Sequence, residues 1–189
     1  MESLKKLDEK IVYDGWRKVI QKKFERIVRV PLGVDIHLFH KNPYAKLPAE
    51  FHKPIFTYVG RIAPEKNIEA FLECDVPGTK LIIGNGPTKE ALEVKYKKTA
   101  VFVGYKAGKD LVDLLSISDV FVFPSRTDTF GLTIIEALAC GLPVAAYPVQ
   151  GPNDIITSGQ DGFLGEDLAD SAKKCLTLDA RACRQKAEQ

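Results

Sequence analysis

Short, unbroken runs of apolar residues recur along this 189-residue chain, and segments with helical spacing separate them. The runs consist mostly of Val, Ile and Phe, which is typical of parallel strands that are buried on both faces. They predict strands at Ile27–Val30, Ile55–Val59, Lys80–Ile83, Ala100–Val103, Val120–Phe123 and Val144–Tyr147.

The segments between these runs carry apolar residues three and four positions apart, as in Ile68, Phe71 and Leu72. This spacing predicts helices at Glu65–Cys74, Thr88–Tyr96, Lys109–Ser116 and Leu132–Cys140. Repeated strand–helix units of this length favour an α/β fold: a Rossmann-like parallel sheet flanked by helices. Glycine and proline follow most of the strands, at the edge of the sheet where such folds bind ligands.

The first part of the chain has a different pattern. Residues 1–24 resemble one basic helix, and residues 31–54 form an irregular stretch before the regular repeat begins. We therefore predict a basic helical lead-in and linker at residues 1–30 and a Rossmann-like domain at residues 31–189. Residues 1–29 carry an excess of four positive charges, which suits contact with acidic lipid or a partner domain. A solvated helix face explains the same charges.

Composition narrows the function classes further. The net charge is only +2, which argues against a dedicated nucleic-acid binder. The four cysteines form no Cys-x-x-Cys pair and lie far from the three histidines, so neither a zinc site nor a disulfide framework is expected. We find no signal-peptide pattern and no membrane-spanning apolar run. The expected location is the cytoplasm, with any membrane contact peripheral and at the inner face.

A first candidate site follows the strand that ends at Val59. Gly60 allows close approach to the backbone, and two cations, Arg61 and Lys66, come next, with Lys66 expected to open the following helix. Arginine and lysine at a helix start suit the oxygens of a diphosphate. An exposed arginine and a lysine on a helix surface would give the same pattern.

A second candidate is the turn Gly84-Asn85-Gly86-Pro87, which follows another strand. It lacks the spacing of the dinucleotide-binding fingerprint, so a plain strand-to-helix turn is the better explanation of the motif in isolation. Its glycines would still allow a ligand to approach the backbone closely.

The third candidate lies between Asp128 and Glu136. Phe130, Gly131, Leu132 and Thr133 would form a helix N-terminus, whose free amides favour anions. Glu136 lies eight residues, or about two helical turns, after Asp128. It stands in a mostly apolar helix, where a carboxylate needs a partner such as the hydroxyls of a ribose. Alternatively, Asp128 caps the helix and Glu136 faces water.

Together, these motifs resemble those of the retaining GT-B glycosyltransferases of the family 4 type, which carry an E-x7-E motif in their C-terminal, donor-binding domain. The resemblance covers nearly the whole chain and keeps the family's order. It rests on Pro31-Leu32-Gly33-Val34-Asp35 with Phe39, Val59-Gly60-Arg61 with Lys66, Ile82–Pro87, Val101–Tyr105, Asp119–Ser125, Asp128–Glu136 and Gly141–Val144.

The resemblance implies a donor-binding domain of a retaining hexosyltransferase, which moves a sugar from a UDP- or GDP-sugar to an acceptor without a metal or other cofactor. Arg61 and Lys66 would hold the diphosphate, Asp128 the donor sugar and Glu136 the ribose. Gly60, the turn Gly84-Asn85-Gly86 and the helix start Phe130–Thr133 would contribute backbone contacts, and Val103 and Tyr105 would lie near the base.

The chain departs from the family in two respects. Asp128 stands where the usual residue is Glu, one methylene longer. The chain also has roughly one domain's worth of residues, so an N-terminal acceptor-binding lobe is expected as a partner, and the chain alone is expected to be inactive. A non-catalytic nucleotide-sugar-binding module remains an alternative, as does a nucleotide-sugar epimerase of the same fold.

Overall fold

A computed structural model of the protein describes residues 33–127 and 131–189, and within it Val34–Gln189 forms one compact unit. At its centre lies a sheet of six parallel strands in the order β3-β2-β1-β4-β5-β6. The strands are β1 (Ile55–Val59), β2 (Thr79–Ile83), β3 (Ala100–Phe102), β4 (Val120–Phe123), β5 (Val144–Ala146) and β6 (Gly162–Leu164). The predicted parallel α/β fold is confirmed.

Strand order reverses between β1 and β4. From β1 the chain proceeds outward through β2 and β3, returns to β4 on the other side of β1, and proceeds outward again through β5 and β6. Strand β1 pairs with β4 through Phe56 with Val120 and Thr57 with Phe121. The loops that follow these two strands therefore diverge and leave a crevice, which is where open α/β sheets bind ligands.

Helices connect the strands and cover the sheet. They are α1 (Ile68–Leu72), α2 (Lys89–Tyr96), α3 (Gly108–Ile117), α4 (Leu132–Ala139), α5 (Pro152–Ile155), α6 (Leu168–Cys175) and α7 (Ala180–Ala187). Buried residues form one apolar cluster on each face of the sheet, because alternate side chains of a strand point to opposite faces. In β1, Ile55 belongs to one cluster, and Phe56 and Tyr58 belong to the other.

The predicted helix Glu65–Cys74 is wrong in its first half. A 3-10 turn, Pro64–Lys66, comes first, and Asn67 then adopts a left-handed conformation with φ of 53° before α1 begins at Ile68. A left-handed residue cannot continue a right-handed helix, and the Asn67 side chain holds this conformation by donating to the Pro124 carbonyl at 3.1 Å. Lys66 therefore ends a 3-10 turn and does not open the helix.

Besides the short helix α5, the carboxyl-terminal part of the chain contains three further elements that the sequence patterns did not indicate: strand β6 and the two longer helices α6 and α7. Both helices begin at an aspartate that caps the first turn: Asp167 accepts from the Asp170 amide, and Asp179 accepts from the Arg181 amide. Helix α7 packs against α4.

Three predictions concern segments outside the described residues: the basic lead-in at residues 1–30, the strand Ile27–Val30 and the start of the linker at Pro31. Over the described ranges, no helix is long and apolar enough to cross a membrane. Those same ranges contain no cluster of three His, Cys, Asp or Glu side chains suited to a metal ion. All four cysteines are free thiols.

Candidate functional site

A cavity of about 560 Å³ opens at the carboxyl edge of the sheet, beside the loops that follow β1, β2 and β3 and next to α4. This volume lies within the range of small-molecule sites in proteins. Seven of the residues singled out from the sequence line the cavity together: Gly60, Arg61, Gly84, Asn85, Tyr105, Thr133 and Glu136.

Other candidate residues lie elsewhere. Of those that the structure describes, five do not line the cavity: Lys66, Gly86, Val103, Gly131 and Leu132. The Val103 amide instead donates to the Ile82 carbonyl at 3.1 Å and so continues the pairing of β3 with β2. Asp128 and Phe130 lie outside the described residues, and their roles stay predictions.

The cavity also has walls that the motifs did not reveal. Lys106 and Gly108 follow Tyr105, and Gly108 is the first residue of α3. Lys106 is a cation two residues after Gly104, which follows a strand, and a similar signal singled out Arg61. Phe39 belongs to the irregular segment 33–54, and its ring is buried and lines the cavity. That segment has no periodic pattern that would indicate this burial.

The glycine turn after β2 owes its composition to backbone packing. A Cβ on Gly84 would meet the Gly60 carbonyl oxygen at 1.8 Å, and a Cβ on Gly86 would meet the Ile62 carbonyl oxygen at 2.1 Å. The Ile62 amide donates to the Asn85 carbonyl at 2.8 Å, which joins the two loops. The turn therefore presses the loop after β2 onto the loop after β1, and this packing accounts for both glycines without a ligand.

Two hydrogen bonds join the loops after β1 and β4. Asn67 donates to the Pro124 carbonyl, and the Thr127 hydroxyl donates to the Glu65 carbonyl at 3.3 Å. These bonds hold the segment that contains Lys66 beside the residues that directly precede Asp128. The segment that contains Lys66 thus lies at the crevice between β1 and β4.

The guanidinium of Arg61 lies at the cavity and is held only weakly by other described residues. Its side chain is 66% exposed and pairs with Glu65 at 3.5 Å, a long contact between two solvent-exposed groups. Such pairs contribute little stability, so the guanidinium can exchange this partner for a ligand anion at low cost. Its backbone is held more firmly, because the Tyr58 hydroxyl donates to the Arg61 carbonyl at 2.8 Å.

Glu136 contributes a carboxylate to the cavity wall. The side chain is half-buried in α4, and burial raises its pKa from the ordinary value of 4.5. Among the residues that the structure describes, none donates a hydrogen bond to this carboxylate. A desolvated acid without a protein donor costs free energy unless a ligand supplies the donors, which makes Glu136 a strong candidate for ligand contact.

Helix α4 begins at Leu132 without a side-chain cap. Gly131 is the residue before the helix and has a left-handed conformation with φ of 61°, and a glycine has no side chain to cap the turn. The amides in the first turn of a helix lack intrahelical acceptors and favour anions. Thr133, in this first turn, lines the cavity.

Arg184 of α7 joins the two walls formed by Phe39 and α4. Its guanidinium donates to the carbonyls of Phe39 at 2.6 Å, Ala139 at 2.8 Å and Ile36 at 3.2 Å. Ala139 is the last residue of the helix that carries Glu136. A single side chain thus ties the segment that carries Phe39 to the end of α4.

The comparison with known proteins identifies the family. The family described as "Glycosyl transferases group 1" matches residues 44–178, which is most of the chain and includes every cavity residue except Phe39. The chain belongs to this glycosyltransferase family. Its six-stranded parallel sheet is the Rossmann-like fold of GT-B glycosyltransferases, in agreement with the solved structures it resembles.

One relative of this group 1 glycosyltransferase chain is sulfoquinovosyl transferase SQD2 of Arabidopsis thaliana. It is 38% identical over 138 residues, which cover 68% of this chain and 27% of the relative. Sucrose-phosphate synthase from Thermosynechococcus elongatus is 30% identical, with a TM-score of 0.69 over 84% of this chain and 45% of that chain. HepE from Anabaena, solved with UDP and glucose, is 25% identical, with a TM-score of 0.64 over 82% of this chain and 48% of that chain. The chain therefore spans less than half of the length of these relatives.

Proposed function

We propose that the cavity binds the nucleotide-diphosphate part of a sugar donor, and that this chain supplies the donor side of a retaining hexosyl transfer. One observation carries the proposal: Arg61, a weakly paired cation, and Glu136, a desolvated carboxylate with no hydrogen-bond donor among the described residues, line the same cavity. A nucleoside diphosphate offers both complements, because its phosphates are anionic and its ribose hydroxyls donate hydrogen bonds.

The diphosphate is the leaving group of the transfer, and its charge grows as the bond to the sugar breaks. Fixed positive groups and amides near that charge lower the barrier. We assign this role to Arg61, to Lys66 and to the amides at Gly131–Thr133. Lys66 lies outside the cavity lining, but the loop contacts of Asn67 and Thr127 hold its segment at the crevice beside α4.

The other parts of the donor are assigned in the same way. Glu136 accepts from the ribose hydroxyls, and Tyr105, which is 71% exposed on the cavity rim, lies with Val103 near the base. Asp128 holds the donor sugar, an assignment that rests on its position in the sequence motif. Because aspartate is one methylene shorter than the usual glutamate, its contact with the sugar differs from that of the family.

The proposed transfer retains the configuration of the anomeric carbon. The leaving phosphate takes the proton of the acceptor hydroxyl as the new bond forms on the same face, so no side-chain nucleophile is assigned. The proposed donor is a UDP- or GDP-sugar. The acceptor would be held by a second lobe, and the basic residues 1–29 would support contact with that lobe or with an acidic membrane surface.

A non-catalytic binding module is the second candidate. The chain spans less than half of the length of the three relatives named above, and a donor-binding domain by itself holds the nucleotide sugar without an acceptor. Both candidates require donor binding. An epimerase of the same fold is less well supported, because it needs further acid–base groups, and no histidine is among the described residues that line the cavity.

A thermal-shift screen with UDP, GDP, ADP and their sugars tests the proposal. A ligand that binds only the folded chain raises its apparent stability in proportion to the logarithm of ligand concentration. We expect one diphosphate and its sugars to raise Tm and the corresponding nucleoside to raise it less. A screen in which no nucleotide shifts Tm would contradict donor binding.

A further inference from the structure

The tyrosine of β1 extends from the sheet to the loop that carries the proposed phosphate-binding arginine. Tyr58 is only 2% exposed, and its ring belongs to the apolar cluster on one face of the sheet. Its hydroxyl donates to the Arg61 carbonyl at 2.8 Å. Tyr58 does not line the cavity, so any effect that it has on a bound ligand passes through the loop.

Gly60 makes room for this contact. A Cβ at Gly60 would lie 2.7 Å from the Tyr58 hydroxyl oxygen and 3.1 Å from the ring carbon that bears it. Any side chain at this position would push the hydroxyl away from the Arg61 carbonyl. The buried ring of Tyr58 and the absence of a Cβ at Gly60 therefore both help to set the direction in which the backbone leaves β1.

The Arg61 side chain has no comparable support. The guanidinium is mostly exposed, and its one ion pair among the described residues is the 3.5 Å contact with Glu65. Where the side chain is this weakly held, the position of its backbone decides which ligand atoms the guanidinium can reach. A fixed backbone also reduces the conformational entropy that binding must overcome.

We propose that Tyr58 is a positioning residue, whose hydroxyl fixes the Arg61 carbonyl and so directs the guanidinium to the phosphates of the bound donor. The inference rests on the proposed function, since it concerns the same site. It predicts that the hydroxyl matters for the diphosphate and not for the nucleoside, because only the phosphates contact Arg61.

The test compares Tyr58→Phe with Tyr96→Phe by calorimetry with UDP, GDP, uridine and guanosine. Both variants keep the ring and lose the hydroxyl. The hydroxyl of Tyr96 bonds Glu73 at 2.9 Å and also Lys95, and it lies away from the cavity lining. One hydrogen bond corresponds to about fivefold in affinity. We expect Tyr58→Phe to weaken diphosphate binding by about that factor with nucleoside binding unchanged, and Tyr96→Phe to change neither.

A double-mutant cycle with Arg61→Ala separates positioning from general destabilisation. If Tyr58 acts through Arg61, Tyr58→Phe has no further effect on diphosphate affinity once Arg61 is alanine. An equal effect in both backgrounds would overturn the inference. Normal diphosphate affinity in Tyr58→Phe, together with weak diphosphate binding in Arg61→Ala, would also overturn the inference. Normal diphosphate affinity in Arg61→Ala would instead refute the proposed phosphate contact.

Gly60→Ala provides an independent route if Tyr58→Phe does not fold. The added methyl group would lie 2.7 Å from the hydroxyl oxygen, so the hydroxyl must move while the tyrosine stays in the sequence; the φ of 156° adds backbone strain at Gly60, which the stability of the variant reports. Weakened diphosphate binding with unchanged nucleoside binding, in a variant with the circular-dichroism spectrum of the parent, supports the inference. Diphosphate affinity equal to that of the parent would overturn it.

Discussion

Gly84 lies against Gly60 so closely that a Cβ on Gly84 would meet the Gly60 carbonyl oxygen at 1.8 Å. The two glycines belong to the loops after neighbouring strands, and one of these loops carries Arg61. Because the obstacle is backbone and not a flexible side chain, an alanine at position 84 must displace one whole loop. The contact therefore links the stability of the domain to the shape of the proposed phosphate site.

We expect Gly84→Ala to lower the free energy of unfolding by about 3 kcal/mol, at the upper end for overpacking in a closed site. Gly159→Ala is the matched control, because Gly159 also has a positive φ, of 85°, but has open space around the added methyl group. Its loss should be only about 1 kcal/mol, from backbone strain alone. Urea denaturation measures both, and equal losses would argue against the loop contact.

The sequence predicted the elements that have strong local patterns. Strands β1, β2 and β4 end at the residue where their apolar runs end, and α4 begins at Leu132 as expected. Strand β6 has only three residues and begins with Gly162, which must be small because a Cβ there would lie 2.2 Å from the Val144 carbonyl oxygen. That requirement comes from pairing with β5, a distant part of the chain, so no local pattern indicates it.

The same distinction applies to the site. Arg61, Tyr105 and Glu136 carry chemistry at recognisable places in strand–helix units, and the structure brings them to one cavity. The break at Asn67 depends on a hydrogen bond to Pro124, and the burial of Phe39 depends on contacts with a segment far along the chain. Side chains whose role depends on long-range contacts cannot be recognised from spacing.

A second prediction concerns Arg184. Removal of its guanidinium leaves the carbonyls of Ile36, Phe39 and Ala139 without this donor, so Arg184→Met should cost about 2–4 kcal/mol of unfolding free energy. The control is Arg181→Met on the same helix, because Arg181 is 88% exposed and, within the described ranges, its ion pair is with Asp179. Its change should stay within about 0.5 kcal/mol. Similar losses in the two variants would show that Arg184 does not hold these segments together.

Glu136 leads to a third prediction, in which stability and binding change in opposite directions. Burial raises its pKa in the folded state above the ordinary value of 4.5, so the fold favours the protonated form. That favourable contribution is complete below the unfolded-state pKa and is lost as pH rises through the folded-state pKa. Glu136→Gln should therefore be more stable than the parent at neutral pH, and the difference should disappear at about pH 4.

The same substitution should weaken nucleosides and nucleotides alike, by about tenfold, since a charged acceptor for the ribose is lost. Glu50→Gln is the control, because Glu50 is exposed and outside the cavity lining. Urea denaturation at the two pH values and calorimetry with the nucleoside measure the two effects. A Glu136→Gln variant that is less stable at neutral pH and binds nucleosides normally would show that a protein partner, and not ribose, satisfies this carboxylate.

A fourth prediction addresses turnover. The described residues form a single parallel sheet with the proposed donor site, and transfer requires donor and acceptor to be held in register. We expect the purified 189-residue chain to bind a nucleotide diphosphate. With a nucleotide sugar, we expect it to break the bond between sugar and diphosphate no faster than spontaneous hydrolysis does. Release of diphosphate and labelled product can be followed by chromatography. Rapid transfer to an added acceptor would contradict this prediction and the binding-module alternative together.

The most direct test of the account is whether Arg61 and Lys66 form one phosphate clamp. Charge-assisted hydrogen bonds contribute about 1.5–3 kcal/mol each, so loss of either cation should weaken diphosphate binding about tenfold or more. Calorimetry with UDP and GDP against uridine and guanosine compares the parent chain with Arg61→Ala, Lys66→Ala and, as a control, Arg181→Ala. The account predicts weaker diphosphate binding with unchanged nucleoside binding in the first two variants, and no change in the control. Unchanged diphosphate affinity in a folded Arg61→Ala protein would contradict it.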